Sequence, residues 1–167
     1  MQSDIQAILH KAEEHYLKKT EVMVFQHYAV TLVKRLETYE CLRDQEITIF
    51  QPIAEELVRA YPEENPQLLE KALKHWLAVM RYCAMAMLLN NPEYLERRIL
   101  EWLTEMVQAH QMQSVENTIY DLLLSRLQQR LSQEQLALLK PFLEQSQTTL
   151  LGEQINLDEQ IPSTVGG

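Results

Sequence analysis

Two apolar stripes set end to end dominate this sequence. Between Pro66 and Leu89, the residues Leu69, Leu73, Trp76, Met80, Cys83 and Met87 recur at alternating steps of four and three. That spacing places them on one side of an α-helix. Beyond Asn90-Asn91-Pro92 the pattern resumes with Leu95, Ile99, Trp102, Leu103 and Met106. Asn91 has the side-chain oxygen to cap the second helix. Pro92 falls at its first position, where a missing N–H costs nothing.

The flanking segments follow the same logic. Ser3 or Asp4 caps a short helix running to about Leu17. Thr20 caps a long one, with Glu21 in the first turn, where the helix dipole favours an acid. Phe25, Tyr28, Leu32, Leu36 and Tyr39 line one face of it to about Cys41. The polar segment Leu42-Arg43-Asp44-Gln45-Glu46 has no breaker, so the helix either continues or bends there. Pro52 should divide or kink Ile47 to Ala60. Tyr61-Pro62-Glu63-Glu64-Asn65-Pro66 is a loop.

His110 to Gln113 form a connection, and Ser114 opens a helix carrying Val115, Ile119, Leu122, Leu123, Leu127 and Leu131. Ser132-Gln133-Glu134-Gln135 is a capping box for the last helix. Pro141 should kink or shorten that helix, with Leu138, Leu139 and Phe142 in the core. The chain turns polar from Ser146, and Ser163 to Gly167 read as disordered. The expectation is an all-α protein of about seven or eight unequal helices in globin-like packing. Residues 1–146 form one domain: an amino-terminal extension over 1–41 and a core over 42–146. A polar tail covers 147–167.

Composition narrows the function. No glycine precedes Gly152. That removes the phosphate-cradling loops of nucleotide-binding folds and the nucleophile elbow of hydrolases. The net charge of −9 argues against nucleic-acid or anionic-membrane partners, which need clustered Lys and Arg. Cys41 and Cys83 suggest neither a disulfide framework nor a zinc site, and Cys83 lies on the buried stripe. The amino terminus lacks the features of a signal peptide, and Tyr82 to Leu89 is too short an apolar run to span a bilayer. A cytoplasmic protein is expected. His10 and His15 are off the one-face spacing, no Glu-x-x-His occurs, and no nucleophile has an evident base. These points lead away from an enzyme and from a metal site.

The run ALKHWLAVMRYCAMAMLLNNPEYLERRILEWLTE resembles the central region of the phycobiliproteins, the globin-like subunits of light-harvesting antennae in cyanobacteria and algae. The resemblance rests on Arg81-Tyr82 with the small apolar run behind it, on the Pro92 turn, and on Leu95, Arg98, Leu100, Leu103 and Glu105. The stretch YLKKTEVMVFQHYAVTLVKRL resembles the family's amino-terminal helical pair, which mediates subunit pairing. Tyr61-Pro62 stands where the family often closes its second helix. The resemblance runs from about Tyr16 to Phe142.

The departures concern pigment. Pigmented members attach a bilin through a cysteine ten residues before the tyrosine of the Arg-Tyr pair, and here that position is Ala72. The basic and acidic residues that serve the propionate and the pyrrole nitrogens are here Lys74 and His75. Lys74 keeps the charge without the forked geometry, and neutral His75 can accept one N–H but is no carboxylate. Where the family often has glycine in the next helix, this chain has Trp102, a ring large enough to close the cleft. The resemblance therefore implies a relative without covalent pigment, similar to the globin-like proteins associated with bilin biosynthesis.

Each candidate residue has two readings. His75 is either an axial ligand or hydrogen-bond partner for haem or bilin, or a half-exposed histidine at a helix edge. Lys74 and Arg81, seven residues apart on one helical face, either hold two propionates or form a solvated edge pairing with acids such as Glu70. Trp76 and Trp102 either sandwich a planar ligand or pack in the core. Phe25, Tyr28 and Leu32 either anchor a like or related subunit, as homodimer or hetero-pair, or fold back on their own core. Three functions are open: an accessory protein of phycobilisome or bilin metabolism, a purely structural or regulatory interaction protein, and a haem sensor using His75.

Overall fold

The computed structural model describes residues 2–109 and 112–152. Among them are helices and short connections, with no strand. The helices are α1 (Gln2–Glu14), α2 (Lys19–Ala60), α3 (Pro66–Leu89), α4 (Pro92–Leu95), α5 (Glu101–Ala109), α6 (Gln113–Arg130) and α7 (Gln133–Leu151). A π-helical turn, Glu96–Leu100, joins α4 to α5. α4, the π turn and α5 make one continuous rod, so the described chain is six rods in an all-α, globin-like arrangement.

α2 is the longest element, 42 residues or about 63 Å. It begins before the expected Thr20 cap, because the Lys18 backbone N–H donates to Glu21 Oε2 at 2.9 Å. It runs through Leu42–Glu46 and through Pro52 as one helix. A proline inside a helix costs about 3 kcal/mol. Ile49, Phe50, Ile53 and Leu57, buried on both sides of Pro52, hold the helix against the core and offset that loss.

α3 starts at Pro66, the last residue of the expected loop. Asn65 Oδ1 accepts the Gln67 N–H at 2.9 Å, and Pro66 takes the first turn. It ends on Asn90, whose φ of 49° is the left-handed conformation that asparagine tolerates at a helix end. Asn91 then caps α4 through the Tyr94 N–H at 3.2 Å. α3 packs against α2, α6 and α7 and is the centre of the core. Trp76, Val79, Cys83 and Ala86 have no exposed surface.

α6 starts at Gln113, one residue before the expected Ser114 cap. His110 of the expected connection lies outside the described residues, as do Ser163 to Gly167. The Ser132 capping box forms with Gln135. Pro141 is exposed on α7 and does not end the helix, which continues to Leu151. Its last turn is not polar tail: Leu150 and Leu151 are buried.

Candidate functional site

The expected cleft residues lie on α3 and α5, and their surroundings divide them. Trp76 is fully buried. Its indole N–H donates to Glu116 Oε2 on α6, and its ring packs against Tyr120, one turn further along α6, at 5.4 Å between centroids. His75 approaches the same carboxylate, with Nδ1 3.5 Å from Glu116 Oε1 and a side chain 13% exposed. A carboxylate 1% exposed is costly unless it is partnered. Here an indole and an imidazole from adjacent α3 positions flank it. The ring of Trp76 is therefore a core residue bonded to α6.

Lys74 turns outward and pairs with Glu70 one turn back; both side chains are well exposed. The hydrogen bond from Lys74 and its charge lower the Glu70 carboxyl below its usual range. Arg81 is also occupied. Its guanidinium grips Glu46 of α2 through two nitrogens, with Nε donating to Oε2 at 2.7 Å. That bond raises the Arg81 pKa. The pair sits at the rim of a groove of about 280 Å³ between α2 and α3, lined also by Tyr39, Leu42, Arg43, Met80 and Ala84. Lys74 and Arg81 are thus each held by an acid of their own. Ala72, where pigmented relatives carry their tether, is fully buried.

Trp102 corrects its sequence expectation. It is 49% exposed and does not belong to the buried apolar stripe. The cause is the π turn. A π turn holds one residue more than an α turn, so every following residue shifts around the axis. Leu103, eight residues after Leu95, takes the inward place that regular spacing gives to Trp102, and Val107 follows it inward. The Trp102 indole donates instead to the Arg98 carbonyl of its own rod at 2.8 Å. One indole is sealed in the core and the other lies at the surface, so the two do not sandwich a ligand.

The amino-terminal half of α2 has the opposite character. Tyr28 and Leu32 are half-buried and face the body of the protein, beside buried Arg35 and Thr38. Arg35 donates from Nη1 to the Leu88 carbonyl near the end of α3 at 2.8 Å, and its guanidinium lies 5.6 Å from the Tyr28 ring centroid. On the other side of α2 the surface is mostly apolar, interrupted by exposed Gln26 and His27: Val22 39%, Met23 59%, Phe25 39%, Val30 57%, Val33 53% and Leu36 44% exposed. Of the three predicted anchors only Phe25 belongs to this outward set. α1 rests on α2 through buried Ile5 and Ile8.

Sequence reasoning missed Glu116 and Arg35, yet both carried a signal. Glu116, Tyr120, Leu123 and Leu127 follow helical spacing, which puts the carboxylate on an apolar stripe. Arg35 falls between Thr31 and Thr38 on the inward side of α2 in the same way.

Over this frame, residues 8–150 match the family model described as Phycobilisome protein. The chain belongs to the phycobilisome protein family. That membership fits the globin-like core and a phycobiliprotein-like role. Among curated proteins nothing matches. Members of the phycobilisome protein family form oligomeric pairs. Among the described residues no helix is long and apolar enough to cross a membrane, and no cluster of His, Cys, Asp or Glu could hold a metal ion.

Proposed function

We propose that this chain is a non-enzymatic accessory subunit of phycobilisome or bilin metabolism. It carries no covalently attached bilin and works by pairing with a like or related globin-type subunit. The observation that carries this reading is the contrast between the two ends of the candidate surface. The position expected to tether a pigment is a buried alanine, and one turn along α3 Trp76 is buried against Tyr120 and donates to Glu116. The outward side of α2 presents a long apolar surface that a solvated helix has no reason to keep. Membership of the family supports association with phycobilisomes.

Non-covalent binding of a tetrapyrrole beside Lys74, His75 and Arg81 is the second reading. It is favoured by the edge position of His75, whose Nδ1 makes no hydrogen bond, and by the exposure of both cationic side chains. Spectral titration with haem, biliverdin and phycocyanobilin separates the two. Pairing without pigment predicts unchanged spectra and a light-scattering mass above one 19.7 kDa chain when the partner is present. A bilin band lost in Lys74→Ala or Arg81→Ala, or a Soret band lost in His75→Ala, overturns it in favour of a tetrapyrrole carrier or a haem sensor.

A further inference from the structure

One stripe on the outward side of α2, beside Met23 and Val30, has an internal symmetry. No Asp, Glu, Lys or Arg occurs in the twelve residues Val22–Val33. Ala29, exposed, stands at the middle of the apolar surface. Val22 and Phe25 lie on one side of it, and Val33 and Leu36 on the other, over about 21 Å of helix. The ends carry opposite charge. Exposed Lys18 and Lys19 mark the amino-terminal end, and exposed Glu37 and Glu40 the other. The two cations between are drawn away: Lys34 to Glu134 of α7 at 3.4 Å, and Arg35 inward to the Leu88 carbonyl.

From this arrangement we infer that the occupant of the surface is a second copy of the same chain, its α2 crossing antiparallel over Ala29. The inference rests on the pairing reading above and names its partner. A two-fold axis at Ala29 sets Val22 of one copy against Leu36 of the other and Phe25 against Val33. It brings Lys18 and Lys19 of each copy to Glu37 and Glu40 of the other. Each contact occurs twice, as an isologous interface requires. The small side chain at the axis lets the two helices approach closely. Two chains of net charge −9 repel, but the surface itself is neutral and its ends attract.

Sedimentation and light scattering of the purified chain test this. The expected mass is twice 19.7 kDa. Val33→Asp should give a folded monomer, its helicity checked by circular dichroism. Lys18→Glu with Lys19→Glu should weaken association by roughly tenfold. Adding Glu37→Lys and Glu40→Lys should restore it, a rescue that mere loss of apolar surface would not show. Ala29→Cys in a Cys41→Ser background should oxidise to a covalent dimer, since the position faces itself. A wild-type monomer at about 100 µM overturns the second copy, as does a dimer that neither Val33→Asp nor charge reversal disturbs. A monomer that binds a purified phycobilisome subunit, and loses it on Val33→Asp, leaves the pairing reading standing. A monomer that binds none overturns both.

Discussion

The seam where α3 packs against α6 and α7 and the amino-terminal half of α2 are inverted with respect to each other. At the seam, polar groups point inward: Glu116 is buried between Trp76 and His75, and the Ser146 hydroxyl lies 3.3 Å from the Cys83 sulfur nearby. On α2, valine, methionine, phenylalanine and leucine point outward. A monomeric helix gains by burying such residues and by leaving its carboxylates in water. Buried polar groups that bond across helices fix how one chain folds on itself. Exposed apolar groups fix what it folds against. Under the pairing proposed above, the core is complete within one chain and the α2 surface is completed by a partner.

The sharpest way to break this contrast is chemical. Burial pushes the Cys83 thiol up to about 12, against a weaker lowering by its bond with Ser146. At pH 8 the folded protein then holds roughly one part in ten thousand of Cys83 as thiolate. Alkylation should modify half-buried Cys41 alone, with Cys83 slower by about a thousandfold or more until denaturant is added. Equal labelling, read by peptide mass spectrometry, would mean that the seam opens in the native state.

The next effect is on stability. Glu116→Ala strips Trp76 of its acceptor and leaves a void, which should cost about 3 kcal/mol. For a chain of this size that lowers Tm by roughly 6–12 °C. Tryptophan emission should shift as the Trp76 indole loses its partner. A midpoint within 1 °C of wild type, by calorimetry, would show that the carboxylate does not hold the seam together.

The smallest effect sharpens the other side of the comparison. The Lys18 backbone N–H, with Lys11, holds the Glu21 carboxyl below its usual range. A carboxyl lowered in the folded state stabilises fully above its unfolded pKa and loses that contribution as the pH falls through the folded value. Acidification should therefore loosen the α1–α2 junction before the core. Glu21→Gln should abolish that step, read as earlier amide exchange in α1 than in α3. Simultaneous exchange would tie α1 to the core.

Much of the fold was legible because caps and periodicity act locally. Asn91 and Ser132 begin their helices where their side chains predict. Neither Pro52 nor Pro141 divides or ends its helix, because the local cost of a proline is offset by distant packing. Pro52 and Pro141 both lie inside continuous helices. The site was less legible for a related reason. The stripe Phe25, Tyr28, Leu32 and Leu36 looked like one face, but apolar residues surround this part of α2. Periodicity finds a boundary only where polar residues mark the other side. Trp102 was misplaced because nothing in the residues Glu96–Leu100 announces a π turn.

That turn has a consequence for the length of the chain. A rod that already carries a surplus residue can lose one without losing its anchors. Removing a single position between 96 and 100 would bring Leu95 and Leu103 to regular spacing and keep both inward. A deletion elsewhere along a core helix would swing the residues beyond it out of register. This is the place where shorter versions of the molecule can arise with their interior intact.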